Sequence, residues 1–162
     1  MTKGRQRQKS EYGRQLEEKQ GLKETYGLRE QQFRRYFREG GNPDLIMKLL
    51  EQRLDNVTFR CGFASTRKFA RQLVSHGHIQ VNQKNVDLPS HRVKVGDSIR
   101  IHPGSLKIVA FQDLTLTLKK YEPPTWIELD KTALQAKIVK NPIVDDPIIM
   151  ASVKPIIEFY RR

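Results

Sequence analysis

The sequence predicts an α+β protein. It expects a helical domain formed by both chain ends (1–50, completed by a C-terminal helix in 148–162) and an inserted module (51–147) of short helices packed on a small, mainly antiparallel sheet. Three observations carry this expectation. Helical runs crowd the first third and are punctuated by Gly27 and Gly40-Gly41; short alternating runs such as Ile79-Gln80-Val81 follow; an apolar-faced helix closes the chain. Of 162 residues, 44 are Leu, Ile, Val or Phe, enough apolar surface for one domain or two small ones.

Each element has a local reason. Ser10 is a fitting N-cap for a helix over residues 11–26, which Gly27 stops. A second helix is expected over 29–39, where Phe33 and Phe37 share one face at i and i+4 and Arg34 and Arg38 share another. Asn42 before Pro43 starts a third helix containing Leu45, Ile46, Leu49 and Leu50, which either continues or bends into residues 54–59. Gly62-Phe63-Ala64 breaks the pattern, Ser65 is expected to cap, and residues 66–75 form a helix closed by Gly77. On it Phe69 and Leu73 lie one turn apart, as do Arg67 and Arg71, so one face packs while another presents two guanidinium groups.

Ile79-Gln80-Val81 alternates as a strand, turns at residues 82–84 and resumes at Val86; Val93 and Val95 precede a Gly96-Asp97 turn and a further strand over 98–101. Residues 106–121 fit two periods. Leu114, Leu116 and Leu118 alternate as in a strand, yet Leu106, Ala110, Leu114, Leu118 and Tyr121 have helical spacing, and periodicity leaves both open. Pro123-Pro124 is a break, residues 126–130 and 134–139 read as paired strands, and 152–162 as a terminal helix with Pro155 in its first turn.

The formal charge of +12 is unevenly spread: +5 over residues 1–60, +6 over 61–107 and +1 over 108–162. In the middle third only Asp87 and Asp97 oppose eight basic residues, a composition suited to a phosphate-facing surface. The tail bearing Lys3, Arg5, Arg7 and Lys9 is expected to be extended until something anionic orders it. No apolar run approaches the roughly 18 to 20 residues that a bilayer span needs, so neither membrane insertion nor secretion is expected. A single thiol, Cys61, excludes an internal disulfide and cysteine-rich zinc modules, and fits a reducing compartment. His76 and His78 have no carboxylate or thiol at supporting spacing, so a turn imidazole is the simpler account than a metal site. No cofactor and no metal are expected.

The run Arg53-Leu54-Asp55-Asn56-Val57, then 60–67, 70–76, Ile79, Val81-Asn82, Pro89-Ser90, Val93 and Gly96-Asp97, closely resembles the RNA-binding module named after the fourth small-subunit ribosomal protein. The flanks Ser10-Glu11-Tyr12-Gly13, Tyr26-Gly27, Gln32-Phe33-Arg34, Tyr36-Phe37, 124–130 and Ile157-Glu158-Phe159-Tyr160 resemble the universal uS-four family, so the likeness covers nearly the whole chain. Three departures stand out. The longer N-terminal segment of many members, sometimes a cysteine zinc knob, is not seen ahead of Ser10, so zinc binding does not carry over. The insertion between the second and third helices is shortened to Gly40-Gly41-Asn42-Pro43, and the hairpin, normally Asn-Gly, reads Asn82-Gln83. Gln83 is thus expected to sit in a strained or altered turn.

The resemblance implies a structural constituent of the small ribosomal subunit, not an enzyme. It implies a primary binder of 16S rRNA that nucleates assembly at a five-way junction and contributes to translational accuracy. The neighbours implied are ribosomal proteins uS-five and uS-three and the path along which mRNA enters; no membrane and no homo-oligomer are expected. The location implied is the cytoplasm, with an organellar ribosome left open. The expected RNA contacts are Tyr12, Arg14, Gln15, Lys19, Gln20, Arg34 and Arg35 in the helical unit. In the central module they are Arg53, Ser65, Arg67, Lys68, Arg71, Gln72, His76, Lys84 and Arg92. Tyr12 either stacks on a base or caps a helix.

Two rival readings use the same residues. A stand-alone RNA chaperone or stress factor would not need the helices over 12–37 or the Trp126 segment. An RNA-modifying enzyme is suggested by Arg53-Leu54-Asp55, since pseudouridine synthases carry a catalytic Asp after Arg-Leu; those enzymes need a separate, larger catalytic domain, and Asp55 reads here as a helix N-terminal charge or an ion-pair partner.

Overall fold

The structure is a computed structural model describing residues 7–144 and 146–162. The chain divides into two compact units, one drawn from both chain ends (up to Ile46 and from Val144 on), the other comprising Met47–Ile143.

In the first unit, α1 (Glu11–Tyr26) opens on Ser10, whose Oγ accepts from the Gly13 amide at 3.1 Å, and closes on Gly27 at φ 65°. There the Gly27 and Leu28 amides donate to the Glu24 and Lys23 carbonyls, satisfying the last turn. Helix α2 (Glu30–Gly40) buries Phe33 and Phe37, and α3 (Pro43–Glu51) starts where Asn42 Oδ1 accepts from the Leu45 amide. Gly40 is set by close approach, since a Cβ there would lie 2.4 Å from Ile46 Cγ1.

Helix α7 spans Pro147–Tyr160, five residues earlier than the sequence reading begins it. Asp146 Oδ1 caps the Ile148 amide and Pro147 takes the first position, the same cap-then-proline logic as Asn42-Pro43. Pro155 consequently lies mid-helix and not in the first turn, leaving one carbonyl without its helical donor. Helix α7 packs along α1 and against α2, with the Tyr160 ring 5.3 Å from Phe37 and 6.4 Å from Phe33.

In the second unit α4 (Leu54–Arg60) and α5 (Arg67–Ser75) precede the strands β1 (Ile79–Val81), β2 (Lys84–Asn85) and β3 (Ser98–Ile101). After α6 (Leu114–Lys119) come β4 (Ile127–Asp130) and β5 (Gln135–Ile138), giving one antiparallel sheet in the order β2-β1-β3-β5-β4. Leu54, Val57, Leu73, Val74, Ile79, Ile99, Trp126 and Ile138 belong to a single hydrophobic cluster, so Trp126 is a core residue.

The open choice between a continuous and a bent third helix resolves as a break. The chain leaves the helix at Arg53 (ψ 138°), and the segment 89–93 runs alongside, its His91 and Pro89 carbonyls accepting from the Leu54 and Asp55 amides. A distant segment thereby supplies the acceptors for amides at the start of α4 that no side-chain cap satisfies. This also corrects the strand expected around Val86 to Val95: β2 is two residues long, and Val93 donates instead to Gln52 O. The helix period wins at α6, burying Leu114 and Leu118 and leaving Leu116 64% exposed.

The cap of α5 is Thr66, whose Oγ1 accepts from the Phe69 amide at 3.0 Å, and not Ser65, which is exposed one residue earlier. Gly62 has φ 82°, and a Cβ there would lie 2.8 Å from both Leu118 Cδ2 and Tyr121 Cδ1. Gly62→Ala combines backbone strain with overpacking and is expected to cost about 3 kcal/mol, read from the midpoint of urea unfolding. An unchanged midpoint would show that the α4–α5 turn does not depend on this approach. Cys61 is fully buried and desolvation pushes its thiol up, out of reach of redox chemistry.

Candidate nucleic-acid interface

The basic face of the second unit is assembled from α4 and α5. Arg67 is half-buried and held from two sides: its Nε donates to Asn56 Oδ1 at 2.9 Å, and its guanidinium lies 4.6 Å from the Phe59 ring centroid. Asn56 is in turn fixed, since its Nδ2 donates to the Glu51 carbonyl and to Glu51 Oε2 at 2.7 Å. The buried Glu51 carboxylate also receives Arg60 through Nε and Nη2, each at 3.0 Å. A buried carboxylate, an amide and an aromatic ring thus set the orientation of Arg67, an arrangement that removes much of the ordering entropy a flexible arginine would lose on meeting a phosphate.

Arg71 follows one turn later on the same helix, half-buried, while Lys68 and Gln72 are exposed beside it and His76 is exposed at the helix end. Lys84 is exposed on β2, next to a two-residue turn in which Asn82 and Gln83 both have positive φ, the type I′ signature. Arg92 is exposed on the segment beside the α3–α4 break. Across the sheet Arg100 Nε donates to Gln80 Oε1 at 2.7 Å and Gln80 Nε2 donates to Asn85 Oδ1 at 2.9 Å, a polar row beside the hairpin.

In the first unit Tyr12, Lys19, Gln20, Lys23, Glu30, Arg34, Phe159, Tyr160 and Arg162 line one groove. Tyr12 is 49% exposed, its ring 5.6 Å from Phe159 and under the Arg162 guanidinium, and since Ser10 is the cap of α1, Tyr12 does not cap it. Arg34 is exposed and lies 6.0 Å from the Tyr160 centroid; Arg14 and Arg35 are exposed and Gln20 is half-buried. Burial raises the Glu30 carboxyl, but hydrogen bonds from Lys19, Tyr160 and Lys23 outweigh it and hold the group below its ordinary value. The stability this adds is present at neutral pH and is lost as pH falls through the lowered value. Burial first, and then the bond to Glu30, pushes the Tyr160 hydroxyl up, so it stays protonated and donates at 2.9 Å.

Three of the expected contacts, unlike the others, are buried and bonded within the chain. Arg53 is 2% exposed, with Nε and Nη2 on the two oxygens of Asp55 at 3.1 and 3.0 Å, a buried ion pair. Lys19 is 6% exposed, bonded to Glu30 at 2.9 Å and set 4.8 Å from the Phe159 ring. Gln15 is 3% exposed, donating to Glu158 and accepting from Arg162. Within the chain these side chains are engaged by Asp55, Glu30, Glu158 and Arg162. Residues that sequence reasoning missed are Asn56, Glu51 and Phe59, which orient Arg67. The Asn56–Arg67 and Glu51–Arg60 contacts join different helices, and no periodicity reports them.

The family model described as "Ribosomal protein S4/S9 N-terminal domain" matches residues 1–59, and the model described as "S4 domain" matches residues 52–99. The protein named small ribosomal subunit protein uS4 from Herpetosiphon aurantiacus is 42% identical over 98% of this chain and 78% of its own length. Those from Chloroflexus aurantiacus and Persephonella marina are each 43% identical over 98% of this chain and 80% of theirs. The chain belongs to the uS4 family. Proteins of the uS4 family are structural, so Arg53-Leu54-Asp55 is not catalytic and its carboxylate is the buried partner of Arg53. Among the described residues of this uS4 family member, no group of three or more His, Cys, Asp or Glu could hold a metal, and no helix is long and apolar enough to cross a membrane.

Proposed function

We propose that this protein is a structural constituent of the small ribosomal subunit that binds the subunit's 16S rRNA at a folded junction and nucleates assembly of the subunit body. The observation that carries the reading is the similarity along 98% of the chain to proteins named for that subunit. The geometry supplies a mechanism. Arg67, Lys68 and Arg71 on α5, with Lys84 at the hairpin, place cations on phosphates and release condensed counterions, while shape and ribose contacts select a folded RNA over a duplex DNA. Exposed Tyr12 and Arg34 form the second contact region. The same reading makes uS5 and uS3 its neighbours, puts mRNA nearby with a contribution to translational accuracy, and locates the protein in the cytoplasm.

The test is binding of the pure protein to folded small-subunit rRNA, with equal masses of transfer RNA and duplex DNA as competitors and salt as the variable. The account expects the rRNA to be preferred and affinity to fall steeply with salt. Equal affinity for all three nucleic acids would contradict it and favour a non-selective RNA chaperone.

A further inference from the structure

Among the described residues, three that are not glycine have left-handed φ: Asn82 at 52°, Gln83 at 66° and Leu134 at 53°. Such a conformation disfavours any residue carrying a Cβ, and it persists where the surroundings compensate. Two of the three have a compensation inside the chain. Asn82 Oδ1 accepts from the Ser98 amide at 3.0 Å and its Nδ2 donates to Asp97 Oδ1 at 2.9 Å. Leu134 is partly buried against the hydrophobic cluster, at the end of a turn in which Asp130 Oδ1 accepts from the Thr132 and Ala133 amides.

Gln83 has neither. It is exposed, and its side chain makes no hydrogen bond or ring contact with any described residue. The hairpin does not require it, because glycine fills this turn position without strain. The bonds from Asn82 to the next strand pin the turn, so the strain at Gln83 cannot relax by shifting register. The strained conformation leaves a carboxamide at the tip of the hairpin, next to exposed Lys84 and within the segment carrying half of the excess positive charge.

A carboxamide can donate to a phosphate oxygen and accept from a ribose 2′-hydroxyl, the two groups that an RNA backbone presents together. We infer that Gln83 is an RNA contact whose carboxamide bonds the ribose–phosphate backbone beside Lys84. This rests on the rRNA-binding reading and adds to it a residue whose backbone cost is recovered only in the complex.

The experiment compares Gln83→Gly and Gln83→Ala with the unaltered full chain, reading thermal midpoint and affinity for transcribed, folded small-subunit rRNA at one salt concentration. Gln83→Gly is expected to raise the midpoint by about 2–4 °C, while Gln83→Ala, which keeps the strained backbone, leaves it nearly unchanged. Both variants are expected to bind about fivefold more weakly, the worth of one hydrogen bond. Wild-type affinity in both variants would overturn the inference, as would a loss confined to the glycine variant, which would report backbone flexibility. A glycine variant no more stable than the parent would overturn it by removing the strain. Failure of the unaltered chain to prefer the rRNA would appear before any substitution is compared, and would overturn the underlying reading as well.

Discussion

Replacing Arg67 and Arg71 together by alanine is expected to weaken binding to folded small-subunit rRNA by about 100-fold, since each removes a charge-assisted hydrogen bond to phosphate. The same variant is expected to lower the slope of log affinity against log salt by about 1.5, because two fewer phosphates are neutralised. The fold should survive. Both arginines are only half-buried, and the hydrophobic cluster of the unit contains neither. Arg67 is expected to carry the larger share, because Asn56 and Phe59 already hold its guanidinium in place. Filter binding over a salt series, with circular dichroism as the control for folding, reads both quantities. An unchanged slope in a folded variant would remove the phosphate assignment from α5.

The largest stability effect is expected inside the module. Asp55→Ala leaves the guanidinium of Arg53, only 2% exposed, without the carboxylate that takes its Nε and Nη2. Breaking a buried ion pair by removing one partner costs about 3–5 kcal/mol, far more than the net worth of the pair. For a chain of this size that corresponds to a fall in the thermal midpoint of about 10 °C. The paired change Arg53→Met with Asp55→Leu is expected to recover most of the loss, since an apolar pair of similar volume avoids the desolvation of both charges. If Asp55→Ala melted with the parent while abolishing some turnover on uridine in RNA, the structural assignment of Asp55 would fail and the enzyme reading would return.

These two expectations show where the sequence was informative. Local chemistry was legible: Ser10 and Asn42 with the neighbouring Gly27 and Pro43 mark helix ends because a cap is a contact between residues three apart, whereas Ser65 and Thr66 are both capping types and the sequence pointed to the wrong one of the two. The i and i+4 pairing of Arg67 with Arg71 was equally legible, and so was the hairpin that carries Lys84. What was not legible depends on partners remote in sequence. The break at Arg53 exists because residues 89–93 supply carbonyls to the start of α4. Arg53, Lys19 and Gln15 look like surface polar residues until Asp55, Glu30 and Arg162 are seen to engage them in space. The start of α7 was missed because Pro155 looked like a first-turn proline, while Asp146-Pro147 supplied the actual beginning.

The central claim, that this chain is a stable component of the small subunit bound through its basic faces, is tested most directly by sedimentation with small ribosomal subunits through a high-salt gradient. The account predicts that the protein stays in the small-subunit peak after the salt wash, because the proposed binding to folded rRNA would hold it there. Recovery of the protein at the top of the gradient, with none in that peak, would contradict it.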